Sequence, residues 1–204
     1  MEIGLSWSRP GRFAALTTLL AMAPLLAAAS CMPFPTDNFG TGDQPAWRQH
    51  YANGTYGYRI AIPPGRVAYG SVPPAPDHGV GMRLEGRPGG YAWVDGSYNV
   101  YDDVRSARDY LDMENRPVRI GDAPPETVLA LHRRPLRLAG RAGMLQVKRY
   151  RCGRDGTGRV EHLAVVIRDG VVYTVGLDTT QAADAHDAPV FEALVAGWHF
   201  LPRD

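Results

Sequence analysis

The clearest pattern along this chain is a run of period-two segments in its second half. Val128 to Leu138, Ala142 to Cys152, Val160 to Arg168 and Val171 to Leu177 each alternate or stay continuously apolar over strand-like lengths, which predicts four consecutive strands. Asp169-Gly170 separates the last two and is a strong two-residue hairpin signal. That loop pairs Ile167 with Val172, Val166 with Tyr173 and Val165 with Thr174. One face then carries Leu163, Val165, Ile167 and Val172, and the other carries Ala164, Val166, Val171, Tyr173, Val175 and Leu177. Both faces are apolar, so this hairpin is expected to be covered on both sides.

Earlier segments are shorter. Tyr58 to Ile62 alternates and stops at Pro63-Pro64-Gly65, and Gly79 to Glu85 and Gly90 to Val94 are two further strand candidates. Ser106 with Asp109 reads as a capping box opening a helix with Ala107, Tyr110, Leu111 and Glu114 on one side and Pro117 as its stop. Near the C-terminus, Asp187 is expected to cap a last helix with Pro189 in its first turn. Val190, Phe191, Leu194, Val195 and Trp198 recur there at helical spacing, as a core stripe.

The first thirty-one residues have a different character. Arg9 and Arg12 precede an apolar run from Phe13 to Ala29, which ends on Ala27-Ala28-Ala29-Ser30-Cys31. Pro24 within the run and the small residues at its end predict a cleaved export signal rather than a membrane span. Ala29-Ser30-Cys31 matches the last three positions of a lipoprotein signal, which makes Cys31 a candidate for acylation and membrane anchoring. Ordinary cleavage after Ala29 is the other reading, and it would leave Cys31 able to pair with Cys152, the second of two cysteines. The expected organisation is a leader over 1–30, a Pro-, Gly- and Asp-rich tether over 31–55 and one domain over 56–204. Trp47 and Tyr51 are the tether residues able to dock on that domain.

Removing the leader takes away Arg9, Arg12 and Glu2 from totals of 22 basic and 21 acidic side chains, so the mature chain is neutral. A neutral chain lacks the positive excess that nucleic-acid binding needs. Within it, residues 132–159 hold nine basic side chains against Asp155 alone, a local charge of +8. Arg149 and Arg151 are two apart on a strand and project from one face, with Arg154 in the turn beyond. Such a segment is either an edge hairpin blunted by charge and matched by acidic neighbours, or a surface for an acidic protein or another anionic envelope component.

Candidate chemistry is sparse. Asp95-Gly96-Ser97-Tyr98-Asn99 reads as a turn in which Asp95 and Asn99 bond local backbone and Gly96 takes a positive φ. A ligand-contacting loop, or Ser97 as the nucleophile of a small hydrolase, is the alternative. No Gly-x-Ser-x-Gly elbow surrounds Ser97. The six histidines show no metal-ligand spacing, and Glu161 and His162 face opposite sides of a strand, so neither metal nor cofactor is expected. Asp102-Asp103 suits the N-terminal end of the first helix.

The order of elements is similar to the PsbP-like fold family, which includes bacterial lipoproteins of the DcrB and LpqN kind. The likeness rests on Tyr56-Gly57-Tyr58-Arg59-Ile60 leading to Pro63, Gly140-Arg141-Ala142-Gly143 before a long strand, the Asp169-Gly170 hairpin, and Val190 to Val195 in the closing helix. It spans roughly residues 56–201 and implies an α+β domain, an antiparallel sheet covered by helices, with a binding or assembly role and no reaction. The expectation is therefore a lipid-anchored envelope protein that binds a protein or anionic partner. An immunity or inhibitor lipoprotein against a toxin or lytic enzyme is the competing reading.

Overall fold

The computed structural model describes residues 44–70, 77–84, 90–116, 126–152 and 156–202. The leader, Cys31, Pro117 and Arg154 lie outside them.

Eight strands form one antiparallel sheet: β1 (Ala46–Trp47), β4 (Ala68–Tyr69), β5 (Gly79–Arg83), β6 (Tyr91–Tyr98), β7 (Thr127–Leu138), β8 (Arg141–Arg151), β9 (Gly158–Arg168) and β10 (Val171–Thr180). Their order across the sheet is β1-β4-β5-β6-β10-β9-β8-β7. A three-stranded sheet joins β2 (His50–Asn53), β3 (Tyr58–Ala61) and β11 (Trp198–Phe200), in the order β11-β3-β2. Strands β1 and β2 fall inside the stretch read as tether, and Tyr51 of β2 is buried in the core.

The Asp169-Gly170 hairpin forms as expected, with Ile167, Val166 and Val165 opposite Val172, Tyr173 and Thr174. Asp169 and Gly170 both take positive φ (51° and 74°), as a two-residue turn with the twist of its flanking strands requires. The two apolar faces separate as the alternation demands. Leu163, Val165 and Val172 pack with helix α1 (Ala107–Glu114) through Ala107, Leu111 and Tyr110. Ala164, Val166, Val171, Tyr173, Val175 and Leu177 pack on the other side with the small sheet and with helix α2 (Asp184–Ala196). The expected cover is thus only partial. α1 spans eight residues, α2 lies over β9, β10 and β6, and the outer strands extend past both.

Helix α1 opens on the expected box: Ser106 Oγ accepts from Asp109 N at 3.2 Å, and Asp109 Oδ2 accepts from Ser106 N at 2.8 Å. The closing helix differs from its expectation. It starts at Asp184 without a side-chain cap, and Pro189 lies inside it. Asp187 is fully buried and accepts from Thr179 Oγ1 at 2.6 Å, tying the helix to β10. The helix ends at Gly197, so Trp198 belongs to β11, opposite Ile60. It is buried as expected, but its ring stacks on Tyr58 (centroids 4.5 Å apart, planes at 8°) from a strand and not from a helix.

Candidate functional site

The β7–β8 hairpin determines where the basic segment points. Ala139 and Gly140, both at positive φ, turn the chain between Leu138 and Arg141, and the ladder then sets Leu131 opposite Lys148, Arg133 opposite Gln146 and Ala130 opposite Arg149. Because neighbours alternate in direction, the basic residues divide between two faces.

On the α1 face the buried cations are consumed internally, while Arg137 stays exposed and its Nη1 donates to Gly140 O at 2.8 Å. Arg133 Nη1 pairs with Asp112 of α1, and its Nε donates to Gln146 Oε1 at 2.9 Å, which also accepts from Asn115 Nδ2 at 2.8 Å. Lys148, 3% exposed, donates to Glu126 at 3.0 Å and lies 3.8 Å from Glu161. Arg159 Nε and Tyr150 OH donate to the two oxygens of Asp178 at 2.8 and 2.7 Å. Burial alone would lower the lysine's pKa, but Glu161 and Glu126 outweigh it and hold the ammonium above its ordinary range. Burial pushes Glu161 up to about 7 against the pull of Lys148, and raises Asp178 and Glu114 as well. This network joins α1 to the sheet and buries Lys148, Glu161 and Asp178, with Asp112 at its exposed end.

On the opposite face, beyond the reach of α2, Arg134, Arg149 and Arg151 are exposed, together with His132. Among the described residues none of these three arginines makes a hydrogen bond or ion pair, whereas Asp184 of α2 contacts His162 at 2.7 Å. Val147 lies between them, packed against the core. The result is a cationic ledge on the two outermost strands, bordered by an edge on which Val128, Leu129 and Leu131 are 49%, 51% and 42% exposed. Sequence reading found the charge and the shared direction of Arg149 and Arg151. It missed Arg134, whose alignment depends on the β7–β8 register, and the burial of Lys148 and Arg159.

The Asp95–Asn99 segment is not a turn. Asp95 to Tyr98 continue β6, with Gly96 opposite Tyr173 and Ser97 opposite Val172. Gly96 has no positive φ; it is needed because a Cβ there would come within 2.8 Å of the Tyr58 ring and 3.1 Å of Tyr56. Asn99 does bond local backbone, accepting from Tyr101 N at 3.2 Å. Asp95 is mostly buried, and burial pushes its carboxyl up to about 6 despite His78 and a hydrogen bond with Ser97. His78 Nδ1 stands 3.7 Å from Asp95 Oδ1, an atom with no hydrogen-bond partner among the described residues. The carboxylate, not the histidine, is therefore the group next to Ser97. Among the described residues no histidine is hydrogen-bonded to Ser97, as the imidazole base of a serine nucleophile would be; His78 stands against Asp95 instead.

The histidines remain apart. His162 meets Asp184, His186 meets Asp187 at 2.9 Å, and the described residues contain no cluster of metal-ligand type. No helix among the described residues is long and apolar enough to cross a membrane.

No protein-family model matches the chain, and no curated protein does. Among solved structures it is similar to the cyanobacterial PsbP protein CyanoP from Synechocystis sp. PCC 6803, with 18% identity over 79% of this chain and 95% of that one, at a TM-score of 0.48. A protein of unknown function from Pseudomonas aeruginosa is similar at 18% identity, covering 80% and 99%, with a TM-score of 0.44. LpqN of Mycobacterium tuberculosis, involved in cell envelope biogenesis, is similar at 14% identity, covering 79% and 86%, with a TM-score of 0.36. The resemblance to PsbP-like proteins read from the sequence is thus present among structural neighbours, at the level of the fold alone.

Proposed function

We propose that this chain is a lipid-anchored envelope protein whose single α+β domain binds an acidic partner without catalysing a reaction. The observation that carries the reading is the ledge. Arg134, Arg149 and Arg151 are exposed together on one face with no ion-pair partner among the described residues, while Arg133, Lys148 and Arg159 nearby are paired with carboxylates. An unmatched cationic surface steers association with an anionic one and speeds encounter. Anchoring through Cys31 is supported by the Ala29-Ser30-Cys31 junction and would hold this surface near the membrane.

The test uses the full chain in its own envelope. A photo-crosslinking residue is placed at position 149 or 151, and in parallel at Glu192 on the exposed side of α2. The proposal expects one dominant adduct from the ledge, absent from the α2 position, and loss of membrane fractionation in Cys31→Ala. Equal labelling from both positions would contradict the binding surface, and unchanged fractionation would contradict the anchor.

A further inference from the structure

We propose that the open edge of β7 takes up an extended partner segment as an additional strand, with acidic side chains of that segment over the ledge and apolar ones over the opposite face. This rests on the reading of the ledge as a binding surface and deepens it by naming the form of the partner.

β7 is the last strand of the large sheet, twelve residues long, and nothing among the described residues pairs with its outer side. Pro135 shows which amides face outward. Proline has no N–H to give, and in a sheet it is tolerated where that position faces away from the neighbouring strand. The register with β8 is unbroken from Ala130 to Leu138. Leu131, Arg133 and Arg137 therefore share the orientation of Pro135, and their backbone groups point to the open side. Leu131 and Arg133 offer both donor and acceptor; Pro135 offers only its carbonyl. The usable length lies N-terminal to the proline, beside the most exposed apolar side chains.

An incoming strand would meet two different rows. On one face it would lie beside Ala130, His132 and Arg134, with Arg149 one strand further in. On the other it would lie beside Leu131, while Arg133 is already paired with Asp112. The matching segment alternates acidic and apolar residues with the period of a strand. A second copy of β7 would instead set Arg134 and its neighbours against their like, and such charges guard an edge against self-pairing. Charge thus selects a partner for an edge whose backbone groups are generic, as in other strand-addition interfaces.

The probe is a capped peptide alternating valine and glutamate, with a control of the same composition carrying its glutamates and valines in separate blocks. Amide exchange of the intact domain is followed with each peptide, and affinity is measured for the parent, for Leu131→Pro and for Arg149→Glu with Arg151→Glu. The inference expects slowed exchange at Leu131 and Arg133 with the alternating peptide only. It also expects Leu131→Pro, with an unchanged melting profile, to lose about tenfold in affinity, the worth of one backbone hydrogen bond. Equal binding of both peptides without amide protection, abolished by the double charge reversal, would overturn strand addition and leave the ledge intact. Binding insensitive to the charge reversal would overturn the ledge itself. Protection that grows with protein concentration in the absence of peptide would give the edge to a second copy. Capture by phosphatidylglycerol vesicles in place of peptide would give the surface to a membrane. Either result contradicts the proposal.

Discussion

Lys148 and Arg149 are adjacent in sequence and stand on opposite faces of β8, the first buried between Glu126 and Glu161 and the second exposed with no charged partner among the described residues. One step along a strand turns a cation from a component of the core into part of the surface. The local charge of the basic segment therefore overstates what an incoming molecule meets.

Removing these two cations should have very different consequences. Lys148→Ala leaves Glu126 and Glu161 without their counter-ion in a buried site, and breaking such a pair typically costs about 3–5 kcal/mol. Arg149→Ala removes an exposed charge and should alter stability by no more than about 0.5 kcal/mol. Urea unfolding of the two variants measures both. Similar midpoints would mean that Lys148 is not held as described.

Trp198 closes the small sheet against Tyr58, with Tyr173 edge-on at 5.8 Å. Trp198→Ala should cost about 3–5 kcal/mol, a large share of a domain's stability, and lower the melting temperature markedly. A melting temperature equal to the parent's would show that β11 does not dock on β3.

A Cβ at Gly96 would meet the Tyr58 ring at 2.8 Å, the Tyr56 Cβ at 3.1 Å and the Tyr173 ring at 3.3 Å. Gly96→Ala should therefore destabilise by about 1–3 kcal/mol through overpacking, and near-ultraviolet circular dichroism should report displaced tyrosines. Ser97→Ala beside it should leave both the fold and the near-ultraviolet spectrum unchanged.

Burial raises the carboxyls of Glu161 and Asp95 in the folded state, to about 7 and about 6, above the 4.5 and 3.8 expected of them in the open chain. A group that binds its proton more tightly when folded stabilises at low pH and loses that contribution as pH rises through its folded value. Stability should accordingly fall between about pH 5 and pH 8, by up to roughly 3 kcal/mol for Glu161 alone. Glu161→Gln should flatten that slope. A stability that rises with pH across the interval would contradict the burial of these groups.

The β9–β10 hairpin was readable because its information is local: Asp169-Gly170 defines the turn, and alternation then assigns each side chain to α1 or to the opposite core. The β7–β8 turn was legible too, since strands ending at Leu138 and resuming at Ala142 bracket Ala139 and Gly140, although Ala139 takes a positive φ that its side chain does not favour. Trp198 kept helical spacing by coincidence, and only Gly197 and the pairing with Ile60 place it in a strand. Asp95 to Tyr98 looked like a turn because Asp, Gly, Ser and Asn are turn formers. In the folded chain the glycine is required by tyrosines 38 to 40 residues before it and 77 after it, contacts that no local window contains. The same limit applies to the ledge, because Arg134 joins Arg149 only through the register of two strands.

The central claim is that the ledge binds and does not stabilise, and Arg149→Glu combined with Arg151→Glu tests it most directly. Exposed charges contribute about 0–1 kcal/mol to folding, so the double variant should melt within a few degrees of the parent. Its association with an acidic partner or an acidic peptide should slow, and the remaining binding should depend less on salt. Loss of stability together with binding would show that the arginines serve internal ion pairs. Unchanged association, with unchanged salt dependence, in a variant as stable as the parent would contradict the claim.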